Sequence, residues 1–336
     1  MNLTTRYLGL TLPHPFVCGA SPLSAELDMV LRLEDAGAAA IVMHSLFEEQ
    51  ILKDATRRPN LLREPRHSGD LSESSPPLSA YALSPGRYLE HLLRLKQRVR
   101  IPLIASLNGT TPEGWLQYAR ALERAGADAL ELNFYYIATD PTEDAQAVEQ
   151  RVLDVVAVVK ESIAIPLAVK LSPFYSSLPN VAARLERIGA DGLVLFNRFY
   201  QSDIDPETRG STVRLQLSDS SDLLLRLHSV AMLWDRVRMS LAISGGIHEP
   251  IDAVKAVMAG AHVVQLVSTL LRHGPSRLNY LRTHFEAWAE AHQYESLKQF
   301  QGVASLAGRG DVARFERGAY VSVLQSWNRE QLPRSD

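Results

Sequence analysis

Two hydrophobic periods trade places along this chain. Apolar runs of four to six residues, rich in Val, Leu, Ile and Ala, recur between longer stretches whose apolar positions return every three or four residues. The first period suits buried strands and the second suits amphipathic helices, so their alternation predicts a parallel α/β fold. The runs predict strands at Phe16–Ala20, Ala39–His44, Leu103–Asn108, Ala129–Phe134, Leu167–Leu171, Gly192–Asn197, Leu241–Ser244 and Val263–Val267. Between and after them the pattern predicts helices at Ala25–Ala36, Gly86–Val99, Pro112–Ala125, Glu143–Ser162, Val181–Ile188, Asp222–Arg236, Pro250–Ala259 and Ser276–Ala291.

Four of these helices run into Gly-Ala just before the next strand, at Gly37, Gly126, Gly189 and Gly260. Glycine there takes the left-handed cap, and the small residue after it lets the chain turn down into a sheet. Eight strands joined by such units predict a TIM (β/α)8 barrel, with residues 1–336 as a single domain. Two insertions break the rhythm. Residues 53–85 are polar and rich in Pro, Ser and Arg, and include the cluster Arg57, Arg58, Arg63 and Arg66. Residues 199–221 contain the alternating run Thr212–Leu217, which predicts a small sheet or flap. Tyr7–Pro13 predicts an N-terminal hairpin that plugs the bottom of the barrel, and the tail beyond Gln293 predicts one or two short helices.

Composition narrows the chemistry. A net charge of -3 gives no electrostatic case for nucleic acid. The single cysteine, Cys18, excludes a disulfide framework, a multi-cysteine zinc site and an iron–sulfur cluster within this chain. Cys18 lies inside a predicted strand and reads as a core residue, not a base. No metal site is predicted. No apolar run is long enough to span a membrane, and Met1–Tyr7 lacks the apolar core of a signal peptide, so the expected setting is cytoplasmic.

In a barrel the active site is built at the C-terminal ends of the strands. Those ends carry Ala20-Ser21, His44-Ser45, Asn108, Asn133, Lys170, Asn197, Ser244-Gly245-Gly246 and Ser268-Thr269. The last two groups close neighbouring strands with small residues and leave backbone N–H groups uncovered, which predicts a phosphate cradle. Three asparagines suit a flat heterocycle with carbonyl and N–H edges. Lys170 is a lone charge ending an apolar strand and needs an anionic partner. That partner is either a structural carboxylate such as Glu131 or the edge of a flavin, which becomes anionic on reduction.

In this order the residues resemble the dihydroorotate dehydrogenase family of FMN barrels. The resemblance runs from about Leu3 to His292. It rests on Pro15-Phe-Val-Cys-Gly-Ala-Ser21, Leu130-Glu-Leu-Asn133, Val169-Lys-Leu-Ser-Pro173, Phe196-Asn197, Ser244-Gly-Gly-Ile247 and Val267-Ser-Thr269. It implies that Gly245, Gly246, Ser268 and Thr269 hold the FMN phosphate, and Ser21 and Ser244 are further candidate cofactor-binding residues. It implies that Lys170, Asn108 and Asn133 contact the isoalloxazine, that Ser45 and Ala20 lie along the ring, and that Asn197 faces the substrate. The implied reaction passes hydride from a small heterocyclic substrate to FMN and is completed by an external electron acceptor. That acceptor is a ferredoxin-like or flavin/iron–sulfur protein, or a small oxidant. The implied role is oxidation of dihydroorotate to orotate, or of a related CH–CH substrate, in pyrimidine biosynthesis. A homodimer is compatible with the resemblance.

The substrate half departs from the pattern. The family motif Asn-x-Ser-(Cys or Ser)-Pro-Asn supplies a base and a second Asn; here the same stretch reads Asn133-Phe-Tyr-Tyr-Ile-Ala138. Tyr136 falls at the base position and Ala138 at the second Asn. His44 stands where the family has a lysine. Tyr136 and His44, with Lys170, are therefore the candidate catalytic residues, and a tyrosine hydroxyl favours donating a proton over abstracting one. The alternatives are an FMN ene-reductase or dehydrogenase acting on a different heterocycle or an enone, and a non-catalytic barrel binding a phosphorylated ligand.

Overall fold

The computed structural model describes residues 1–48, 84–109, 112–198, 202–213 and 216–326. Most of the 53–85 insertion, with its arginine cluster, lies outside the described residues. Eight parallel strands close into a barrel: β3 (Phe16–Cys18), β4 (Ile41–Phe47), β5 (Leu103–Asn108), β6 (Ala129–Asn133), β7 (Leu167–Leu171), β8 (Gly192–Leu195), β11 (Ser240–Ser244) and β12 (Val263–Leu266). They follow one another around the barrel in chain order, and β12 pairs with β3 to close it. The helices pack outside: α1 (Leu27–Asp35), α2 (Pro85–Arg98), α3 (Pro112–Arg124), α4 (Ala145–Ser162), α5 (Leu178–Ile188), α6 (Leu223–Leu233), α7 (Pro250–Ala259), α8 (Ser268–His273) and α9 (Ser276–Ala291). The fold is the TIM barrel that the alternation predicts. The four Gly-Ala turns all have positive φ, between 90° and 121°, as a left-handed cap requires.

The interior is filled in layers. The lower layer is lined by small residues, among them Ala39, Ala40, Ala129, Ala168 and Ala242. That leaves room for the N-terminal hairpin, β1 (Thr5–Tyr7) and β2 (Leu10–Leu12), whose Tyr7, Leu8 and Leu12 side chains are buried there. The predicted plug is thus present. The second insertion forms a separate two-stranded hairpin, β9 (Ser202–Asp205) with β10 (Gly210–Val213). Its strand begins earlier than the alternating run that signalled it. The tail carries a single-turn 3-10 helix, Leu297–Gln299, and α10 (Val312–Ser326).

The N-terminal face is held by a repeated clamp. Asp128, just before β6, accepts the Leu103 N–H at the start of β5 (2.7 Å) and pairs with Lys96 of α2 (2.7 Å). Asp191, just before β8, does the same with Leu167 of β7 (2.8 Å) and Lys160 of α4 (2.6 Å). The alternate helices use a glutamate. Glu34 of α1 accepts the Arg100 and Ile101 N–H groups, Glu123 of α3 those of Ala164 and Ile165, and Glu186 of α5 that of Arg238.

Two histidines serve as neutral acceptors in this framework. His262 Nδ1 accepts the Leu241 N–H (3.0 Å) and His14 Nδ1 accepts that of Phe16 (3.3 Å). Burial lowers both to about 4, with the Arg282 charge adding to the effect at His14. Their folded pKa lies below the unfolded value of about 6.5, so the unfolded chain binds more protons between those limits. Stability is therefore full above about pH 6.5 and is lost as pH falls towards 4. The melting temperature should drop by a few degrees per histidine across that window, at ~1–2 °C per kcal/mol for a chain of 336 residues. His262→Asn, which keeps an acceptor but does not titrate, should flatten part of the fall; a melting profile level from pH 7 to pH 4 would contradict the assignment.

Candidate active site

The strand ends open into a cavity of about 600 Å³. Register decides which side chains meet there. Asn108 lies beside Asn133 and Asn133 beside Lys170 on neighbouring strands, so the three stand side by side in one layer. Ala20, Ser21, His44, Ser45, Asn197, Ser244, Gly245 and Ser268 complete the predicted part of the wall. Asn197 is fixed by its Nδ2 group donating to the Phe134 carbonyl (2.8 Å). Ser45 Oγ meets Ser106 Oγ at 2.8 Å, and Asn133 Nδ2 reaches Ser45 at 3.5 Å.

Lys170 pairs with the structural carboxylate, Glu131, and also lines the cavity. Its Nζ donates to Glu131 Oε1 (3.4 Å) and to Gln265 Oε1 (3.2 Å), while Gln265 Nε2 donates to Glu131 Oε2 (2.6 Å). Glu131 and Gln265 are fully buried, whereas Lys170 reaches the cavity wall. An ammonium has three donors, which leaves one beyond these two bonds. Below the network lies Tyr7 of the plug; burial and the Glu131 charge push its phenol well above the usual value.

His44 is held through Ser24. Ser24 Oγ donates to the Ser21 carbonyl (3.1 Å), accepts the His44 backbone N–H (2.6 Å) and lies 3.2 Å from His44 Nδ1. One hydroxyl proton serves all three contacts only if Nδ1 carries the ring proton, which leaves Nε2 a bare lone pair. Nε2 is buried without a partner among the described residues, as is Asn133 Oδ1. Burial, with His91 nearby, lowers His44 to about 4, so the ring is neutral at pH 7. Burial also pushes the Cys18 thiol up to about 12, in keeping with a core residue.

Three predicted residues are not brought to this wall. Tyr136 lines a second cavity of about 340 Å³, together with Ile137, Ala138, Arg151 and Phe174. Its hydroxyl donates to Glu143 Oε2 (2.7 Å), and the Arg151 guanidinium lies 4.3 Å from its ring centre. Its neighbour Tyr135 lies on the main wall instead. Gly246 donates its N–H to Ser218 Oγ (3.3 Å), and a Cβ there would come within 2.6 Å of the Leu223 backbone. Its glycine thus serves the approach of α6, and a side chain would displace that helix. Thr269 is buried, with its hydroxyl unpartnered among the described residues.

Sequence reasoning missed Arg226 and Ser218, which also line the cavity. Arg226 had a visible signal, because it is the lone strong charge in the apolar helix Leu223–Leu233. Ser218 Oγ lies 3.2 Å from His248 Nε2, and the Ser218 N–H donates to Ser268 Oγ (3.1 Å), which stitches the second insertion to the start of α8.

Among known proteins, the family model described as Dihydroorotate dehydrogenase matches residues 83–287. The chain is 26% identical over 319 residues to the catalytic subunit of dihydroorotate dehydrogenase B (NAD(+)) of Methanothermobacter thermautotrophicus, covering 90% of this chain and 98% of that one. The protein of the same name from Thermoplasma acidophilum is 25% identical over 313 residues, covering 90% and 99%. That of Desulforamulus reducens is 31% identical over 184 residues, covering 53% and 60%. The matched segment takes in the strands from β5 to β12, and with them the asparagine–lysine layer and the glycine-ended strand. With well over half its length matched and the closed barrel behind it, this chain belongs to the dihydroorotate dehydrogenase family.

Proposed function

We propose that the chain is one FMN-binding barrel domain. In this reading it is a cytoplasmic oxidoreductase that acts on a CH–CH bond of a heterocycle related to dihydroorotate, with dihydroorotate itself a poor substrate. The observation that carries this is the polar layer of the cavity wall, where Asn108, Asn133 and Lys170 stand side by side and Lys170 keeps a donor to spare. A planar ligand with carbonyl and N–H edges would satisfy them. Gly245 and Ser268 line the same cavity and suit a phosphate. The donor set therefore fits FMN, which when bound supplies hydride chemistry at its N5 atom.

In this reading Asn108, Asn133 and Lys170 hold the ring, with Ala20, Ser21 and Ser45 along it and Asn197 towards the substrate. Ser244, Gly245 and Ser268 face the phosphate; Gly246 and Thr269 support that end from behind. His44, neutral and fixed through Ser24, shapes the wall beside the ring and is not a charged proton donor. The relatives named above are catalytic subunits, which supports an external electron-accepting protein here too. An enone or different-heterocycle reductase is the second reading, favoured by the placing of Tyr135 on the cavity wall.

Colour is the first test. The purified protein should be yellow, and acid-released cofactor should co-elute with FMN and not with riboflavin. A colourless protein that takes up no flavin would refute the reading in favour of a phosphorylated-ligand barrel.

Dihydroorotate turnover is the second. The side chain at the family's base position is engaged with Glu143 outside the main cavity, and Ala138 replaces an amide. An unmatched polar substrate edge costs about 1–3 kcal/mol per group. Anaerobic stopped-flow mixing should show little or no flavin bleaching by dihydroorotate. Rapid bleaching at low substrate concentration would make this an ordinary dihydroorotate dehydrogenase, whereas reoxidation of reduced enzyme by enones would favour the second reading.

The third test concerns Lys170. Glu131→Gln removes its counter-charge and should raise the flavin midpoint potential by about 30–60 mV, taking ~1.4 kcal/mol per 30 mV for a two-electron couple. Lys170→Met combined with Glu131→Gln should lower the potential relative to Glu131→Gln alone. Identical potentials in both variants would remove Lys170 from any role in stabilising reduced flavin.

A further inference from the structure

Arg226 projects from α6 into the wall of the main cavity, and it is more than nine-tenths buried. Two edges of its guanidinium are used at home: Nε donates to the Ser244 carbonyl (2.5 Å) and Nη1 to that of Asp222 (2.5 Å). Both acceptors are neutral carbonyls, and among the described residues Arg226 makes no ion pair. Nη2 bonds to nothing among the described residues, and it is not one of the buried atoms sealed off without a partner. It therefore opens onto the cavity. Its place in the wall depends on Gly245, which has φ +88°; the space that a side chain there would take is filled by the guanidinium, with Nη2 3.2 Å from the ideal Cβ position. Ser268 Oγ and Ser218 close the same corner.

Burial weighs against the charged form of Arg226 more than the nearby Asp222 carboxylate favours it, and that carboxylate is itself paired with Arg198 (3.4 Å). A planar guanidinium with one free edge, set among hydroxyls and backbone N–H groups, is matched to the oxygens of a phosphate. We propose that Arg226 binds the phosphomonoester of the ligand directly and is the residue that makes the site select a phosphorylated flavin over an unphosphorylated one. This rests on the FMN reading above and adds to it a charged contact behind Gly245. Helix α6 then has two duties through one side chain: it ties the end of β11 to its own first turn and offers the remaining donor to the ligand.

Flavin affinity of the apoprotein separates these duties, because riboflavin carries the same ring without the phosphate. The wild-type apoprotein should bind FMN far more tightly than riboflavin. Arg226→Gln should weaken FMN binding by about 10- to 100-fold while leaving riboflavin binding within about twofold, as expected for loss of one charge-assisted contact. Arg226→Lys, which keeps a charge but not the fork, should fall between. An equal loss for both flavins would mark Arg226 as structural only and overturn the proposal, as would an unchanged ratio of the two affinities. If the glutamine variant does not fold, a crystal structure of the wild-type protein with FMN decides: a phosphate oxygen should lie about 3 Å from Nη2, and a phosphate seated elsewhere overturns the assignment. Wild-type protein that binds neither flavin would instead overturn the FMN reading itself.

Discussion

A lysine and a glutamate face each other in the middle of the barrel, and the rest of the interior is arranged around them. Charges taken out of water cost more than their attraction returns unless every remaining donor and acceptor is met. Here Gln265 closes the network: its carbonyl takes Lys170 and its amide gives to the second oxygen of Glu131. Beneath it the wall is alanine, and a hairpin fills the space those small side chains leave. Above it the wall is amide and hydroxyl. The network is the level at which the barrel changes from a dry packed core to a site that demands ligands, and Lys170 stands on that boundary with one donor facing upward.

The mouth above the network has two unlike halves. One is a row of amides with the lysine, suited to a flat ring with several polar edges. The other is a glycine-floored corner with hydroxyls and a guanidinium, suited to a compact anion. A ligand that satisfies both must itself have two parts. Size adds a constraint, because the cavity of about 600 Å³ lies within the usual range of about 300–1,000 Å³ for sites that take whole cofactors or drug-sized molecules. Among the described residues, the second cavity, with Tyr136 and Arg151, shares only Gly109 with the first.

The strands and the four glycine turns could be read from the chain because each rests on a local rule: period, cap and strand length. The asparagine–lysine layer could be read for the same reason, since strand ends in a closed barrel are neighbours by construction. What failed to show lies where local rules stop. Tyr135 and Tyr136 are adjacent in a loop without period, and no pattern says which one turns towards the cavity. Gly246 reads like Gly245, yet its missing side chain makes room for the Leu223 backbone. Arg226 sits on a helix, away from any strand end, so a search confined to strand ends passes over it. Glu131 and Gln265 did leave a trace, as single polar residues inside apolar strands, but their pairing across the barrel depends on register between distant segments.

The clamps at the other end of the barrel divide the molecule's labour. From α1 to α5, glutamate alone and aspartate with lysine alternate from unit to unit, so these five strand–helix units are locked at their feet. Nothing in those locks touches the mouth. Substitutions at the strand tips can therefore change the mouth without loosening the frame. A scaffold partitioned in this way is evolvable: its foundations and its chemistry lie at opposite ends of the same strands, and one can drift while the other holds.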